Sequence, residues 1–170
     1  MHNNAGARAL ILGDIPAARV HLEQAAHTAR AIGMASETAA GNLGWVRREE
    51  GDLDGARSMF EDSLRMSRRS GRQPAMGYAI LGLACLATDL GNWDRAAVLH
   101  GTAQAFLDRS GRPWDDPEAR YRQDSLAQVR AHLGEERFDR AYGKGMTLPA
   151  DEALRSALGQ SPQPGPPIAT

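Results

Sequence analysis

A short pattern occurs three times along the chain, and its period constrains the fold more than any composition value. The pattern is a glycine, an Asp or Asn, three further residues and then an alanine. Its copies are Gly13–Arg19, Gly51–Arg57 and Gly91–Ala97, so that Gly51 follows Gly13 by 38 residues and Gly91 follows Gly51 by 40. Self-similarity at a period of about 20–50 residues predicts supersecondary units stacked side by side.

Each copy predicts a tight turn between two antiparallel helices. The glycine suits the left-handed conformation that ends a helix, and the Asp or Asn that follows suits the N-cap of the next one. After each turn, apolar or small residues recur at helical spacing, which predicts that every second helix buries one face. These residues are Ala18, Leu22 and Ala25; Ala56, Phe60 and Leu64; and Ala96, Leu99 and Ala103.

Small residues before the turns predict close helix pairing. Gly44 precedes Gly51 by seven residues, and Ala84 precedes Gly91 by seven. Together with these turns, Leu43-Gly44, Gly51-Asp52, Ala56 and Phe60 resemble the tetratricopeptide repeat. Ser63 and His100 depart from the residues usual in that family, and the spacing exceeds its period of about 34 residues, so we expect longer helices.

This resemblance implies an all-α fold in which antiparallel helical hairpins stack as a right-handed superhelix. The expected repeats are 1–33, which is partial, 34–71 and 72–111. Because Gly6 already occupies the small-residue position of the first repeat, we expect a piece of a longer protein. Its first hairpin would then leave an apolar face without a neighbour, which predicts homodimerisation.

The C-terminal third predicts further helices without the repeat. We expect capping helices over 112–158 and a disordered, proline-rich tail over 159–170. One helix should end near Leu133, a second should be stopped by Gly143 and Gly145, and a last one should run through Ala157.

A second resemblance covers about residues 95–158. Its residues are Leu133-Gly134-Glu135, Phe138, Ala141, Gly145, Leu148, Glu152-Ala153 and Leu154. This segment is similar to the C-terminal end of large bacterial ATPase-type transcriptional regulators of the LuxR type. The resemblance implies a cytoplasmic sensory or assembly module within a regulator.

The predicted functional surface is a groove lined by the first helix of each hairpin, because stacked hairpins bury only the faces between repeats. Mapping the repeat onto the chain places seven residues there: Trp45, Arg48, Glu49, Tyr78, Leu81, Cys85 and Thr88. Trp, Tyr and Arg are enriched at binding hot spots. We therefore predict binding of a protein or peptide partner, or of other domains of the parent regulator. Packing of Trp45 and Tyr78 between repeats, and a small-molecule effector in the groove, stay open as alternatives.

Other functions lack the residues they need. The net charge of -1 gives no electrostatic basis for nucleic acid or membrane binding, and no phosphate-binding loop occurs. His21 and His27 point to different helix faces, Cys85 is the single cysteine, and His100 suits a core or groove position. We therefore predict no metal, no cofactor and no enzymatic activity.

Overall fold

The structure, a computed structural model, describes residues 2–31 and 36–160. Within these residues the chain forms helices and no strands, as predicted. The helices are α1 (His2–Leu12), α2 (Ile15–Ala31), α3 (Glu37–Glu49), α4 (Leu53–Ser70), α5 (Gln73–Asp89), α6 (Trp93–Ser110), α7 (Glu118–Leu133), α8 (Glu135–Thr147) and α9 (Ala150–Ala157). Of the predicted disordered tail, 161–170 lies outside the described residues.

The three repeated glycines form the predicted turns within the hairpins α1–α2, α3–α4 and α5–α6. Gly13, Gly51 and Gly91 have φ values of 75°, 80° and 71°, in the left-handed region that glycine enters without a steric penalty. Asp52 caps α4 by accepting a hydrogen bond of 2.9 Å from the Gly55 amide. Asn92 stands at the corresponding position of α6 without a side-chain bond.

The second helix of each hairpin buries the predicted face. Eight of the nine apolar positions predicted there are fully buried, and Ala25 is half-buried. Neighbouring hairpins pack through α2 against α3 and through α4 against α5. The chain is therefore an all-helical, tetratricopeptide-like repeat with a continuous core.

Glycines in the first helices let the paired helices approach closely, as predicted for Gly44. A Cβ atom on Gly44 would lie 2.6 Å from the Phe60 ring, and one on Gly6 would overlap Leu22. A Cβ atom on Gly82 in the next hairpin would overlap the same Phe60 ring. The Phe60 ring thus packs against two glycines, one from its own hairpin and one from the next.

Helix α8 overturns one prediction about the C-terminal third. It continues through Gly143 and Gly145 to Thr147, because it packs tightly along α6 and the buried Gly145 allows that contact. Helix α9 lies against α4 and α6. Arg68 of α4 pairs with Asp151 of α9 at 3.2 Å. Helix α7 takes a different course and packs against α5 and α6.

Candidate functional site

The seven predicted groove residues lie on α3 and α5, the first helices of the second and third hairpins, as expected. However, the surface that they form is not open. Trp45, Leu81, Cys85 and Thr88 are each at most 2% exposed. The predicted open groove is wrong at these positions. Helix α7 packs against α5 and α6, and its Tyr121 covers Trp45 and Cys85 while its Ser125 covers Thr88.

Aromatic stacking holds both ends of α7 in place. Near its start, Tyr121 stacks on Trp45 with ring centroids 4.4 Å apart, and Trp45 in turn packs edge-on against Phe60. At its end, His132 stacks on Trp93 with centroids 3.8 Å apart. Trp45 thus belongs to the core and also forms the seat of α7, which agrees with the packing alternative for this residue.

A buried polar chain fixes the middle of α7. Ser125 Oγ lies 2.7 Å from His100 Nε2 and 2.7 Å from Thr88 Oγ1, which also donates to the Ala84 carbonyl at 3.1 Å. Burial lowers the pKa of His100 to about 3, so the imidazole is neutral. Every hydrogen finds an acceptor if His100 donates to Ser125, Ser125 to Thr88 and Thr88 to Ala84. This chain specifies the register of α7.

Serine, histidine and cysteine thus lie together, yet their environment opposes nucleophilic chemistry. His100 and Cys85 are fully buried and Ser125 is 2% exposed, so a substrate reaches neither His100 nor Cys85 in this conformation. Burial also raises the pKa of the Cys85 thiol to about 12, and its Sγ lies 3.7 Å from the Tyr121 carbonyl oxygen. A thiol held in its protonated form is a poor nucleophile. The cluster therefore positions α7.

A cleft of about 380 Å³ remains on one side of α7, and we call it the Arg120 cleft. Arg48 and Glu49 of the predicted groove line it. Arg48 donates to both carboxylate oxygens of Asp89, at 2.6 and 2.8 Å, and its guanidinium lies about 5.8 Å from the Tyr121 ring centroid. The other lining residues are Leu10, Gly13, Ile15, Arg120, Tyr121, Asp124, Ser125 and Gln128.

A smaller cavity of about 50 Å³ lies between α3, α4, α5 and the start of α7, and we call it the Glu118 cavity. Trp45 and Tyr78 of the predicted groove form part of its wall, and Tyr78 donates to Asp115 at 3.3 Å. The other lining residues are Glu37, Thr38, Gly41, Asn42, Ser63, Ala75, Ala79 and Glu118. Burial raises the pKa of Glu118 to about 7, although hydrogen bonds from its own backbone and from the Trp45 side chain act in the opposite direction.

Sequence reasoning missed every site residue that α7 contributes. Tyr121 and Val129 belong to a partial apolar stripe that predicts a helix with one buried face. Such a stripe does not specify the surface on which the helix packs. No local sequence pattern marks Arg120, Asp124 or Glu118, because their neighbours in space on the other helices lie about 40 to 115 residues away in the sequence.

Residues 2–31 and 36–160 contain no group of three His, Cys, Asp or Glu side chains that could hold a metal ion. None of the helices described above combines the length and the apolar character needed to span a bilayer.

Comparison with known proteins identifies one hairpin. The family model described as tetratricopeptide repeat matches residues 38–70, which cover α3 and α4. No curated protein and no solved structure matches the chain. The match agrees with the helical hairpins described above, and this repeat type generally mediates protein interactions and is generally non-catalytic.

Proposed function

We propose that this chain is a protein-interaction module that binds its partner in the Arg120 cleft. The proposal is supported by the rigid placement of Arg48 and Tyr121 at the wall of the cleft. Arg48 is fixed by its two bonds to Asp89, and Tyr121 is fixed by its stacking on Trp45. Side chains ordered before binding lose little entropy when a partner arrives, and Arg and Tyr are common binding hot spots.

The charges of the cleft suit a polar peptide. Arg120 and Arg48 contribute positive charge, while Glu49 and Asp124 contribute negative charge. A surface of mixed sign selects a partner of complementary pattern and disfavours partners with a single dominant charge. We therefore propose a partner segment that carries both acidic and basic side chains.

We further propose that the module serves as the sensory or assembly region of a bacterial transcriptional regulator in the cytoplasm. The resemblance of residues 95–158 to the C-terminal end of such regulators supports this context. Ile11, Leu12 and Val20 of the first hairpin are exposed apolar side chains, which supports association with another domain or with a second copy. Light scattering across a concentration series tests the second copy, and a monomer at all concentrations would remove it.

Site-specific photo-crosslinking tests partner binding. Gln128 in the cleft is replaced by p-benzoylphenylalanine in the complete gene product, and Arg140, an exposed residue of α8, is replaced in a matched control. We expect a discrete crosslinked species from position 128 only, and we expect Arg120→Glu to diminish it. Equal crosslinking at both positions, or none at position 128, would refute the proposal.

A further inference from the structure

We propose that the Glu118 cavity binds the ammonium group of a primary aliphatic amine, with the Glu118 carboxylate as its counter-charge. This inference concerns residues that do not line the Arg120 cleft, so it goes beyond the proposed partner binding and can fail independently of it. It also names a chemical class of ligand for the alternative function that the sequence left open, which is binding of a small molecule.

One of the two carboxylates in the Glu118 cavity is not paired with a cation. Two carboxylates line the cavity, and Glu37 is already paired with Arg72 at 2.5 Å. Glu118 has no Lys, Arg or His within ion-pair distance among the described residues. Glu118 is half-buried. A carboxylate partly removed from water without a counter-ion is disfavoured, so a cation that enters the cavity recovers part of that cost.

The surroundings favour a cation over an anion. Asp115 and Asp116 lie close enough for their negative charge to raise the pKa of Glu118. Arg112 offsets only one of them, through its pair with Asp115 at 3.6 Å. Trp45 and Tyr78 add aromatic rings to the wall.

The size of the cavity and its carboxylate together favour an ammonium group. Asn42 is buried in the cavity wall and donates through its amide nitrogen to Asn3 at 3.4 Å. A volume of about 50 Å³ exceeds the roughly 10–15 Å³ that one water requires. The cavity therefore has room for an ammonium group with a short methylene stem. A trimethylammonium group lacks the N–H donors that a carboxylate accepts.

A free aliphatic amine and a lysine side chain both present a primary ammonium group, so the experiment tests a probe for each. The full chain is titrated at pH 8 with n-propylamine and separately with Nα-acetyl-lysine amide, while the indole resonance of Trp45 is followed by NMR. Propyltrimethylammonium and 1-propanol serve as controls of the N–H donors and of charge. We expect saturable shifts with n-propylamine and none with either control. Binding of the lysine probe would assign the site to a protein lysine, and its absence would assign it to a free amine.

Variants test whether the resonance shifts come from binding in the Glu118 cavity or from binding elsewhere on the protein. Glu118→Gln keeps the shape of the side chain and should weaken binding by about tenfold or more, since it removes a charge-assisted hydrogen bond. Glu136→Gln on exposed α8 is the matched control and should leave binding unchanged. Ala75→Leu fills the cavity without altering charge and should also abolish binding, which keeps the test valid if Glu118→Gln is unstable. Undiminished binding in both cavity variants, or no saturable shift in the wild type, would overturn the proposal and leave a water-filled cavity only.

Discussion

Gly101 of α6 and Gly145 of α8 lie at the crossing of these two helices, where each meets the backbone of the other helix. A Cβ atom on Gly145 would overlap the Val98 carbonyl oxygen and lie 2.8 Å from the Thr102 amide nitrogen. A Cβ atom on Gly101 would overlap the Tyr142 carbonyl oxygen. The neighbouring atoms are backbone, which cannot rotate away as a flexible side chain can. The crossing therefore requires glycine on both helices.

Gly145→Ala should destabilise the protein because α8 must move away from α6. Overpacking of this kind costs about 1–3 kcal/mol or more, which urea denaturation measures as a fall in the free energy of unfolding. Gly143→Ala is the matched control in the same helix, since its added Cβ would meet nothing within 4 Å. Alanine exceeds glycine in helix stability by about 0.5–1 kcal/mol, so the control should gain stability. Equal losses in the two variants would contradict this account.

Reactivity of Cys85 should report the detachment of α7. The thiol is buried against Tyr121 and burial raises its pKa to about 12, so labelling by Ellman's reagent should be slow in the native protein and rapid in urea. Val129→Ala removes buried contacts of α7, whereas Leu154→Ala does the same for α9. At matched free energies of unfolding, only Val129→Ala should speed labelling under native conditions. Rates that follow global stability alone would show that α7 does not open separately.

His100 should make the protein less stable in acid. Its folded-state pKa is about 3, below the ordinary value of 6.5, so the unfolded chain binds a proton that the folded chain excludes. Stability is present above pH 6.5 and is lost as the pH falls from 6.5 toward 3, by about 2 kcal/mol at pH 5. His100→Gln should show a shallower loss in urea titrations between pH 7 and pH 5. Parallel profiles of the two proteins would refute the assignment.

Features that depend on residues close together in the sequence could be predicted, whereas features that depend on contacts between residues far apart in the sequence could not. Turns at Gly13, Gly51 and Gly91 follow from the conformation of single residues, and the burial of Phe60 follows from helical spacing. By contrast, residue type alone predicts a helix end at Gly145, whereas this glycine lies inside α8 and serves the close contact with α6, the helix of Gly101. The position of α7 depends on Ser125 and Tyr121 meeting α3, α5 and α6, which no local pattern reveals.

Glu118 should act on stability in the direction opposite to His100. Burial raises its pKa from 4.5 to about 7, so the folded chain keeps a proton that the unfolded chain releases above pH 4.5. Its contribution to the free energy of unfolding is therefore present below pH 4.5, falls as the pH rises to about 7 and stays low above that. Glu118→Gln carries no such proton, so it should exceed the wild type in stability at pH 8, by of the order of 1 kcal/mol.

Urea denaturation at pH 4.5 and pH 8 measures this difference. Glu136→Gln on α8 is the control, because that side chain is 92% exposed and should give the wild-type profile. A bound ammonium ion would favour the ionised carboxylate, so n-propylamine at pH 8 should stabilise the wild type and leave Glu118→Gln unchanged. If Glu118→Gln is less stable than the wild type at pH 8, the carboxylate already has a favourable partner in the folded chain and the cavity needs no cation.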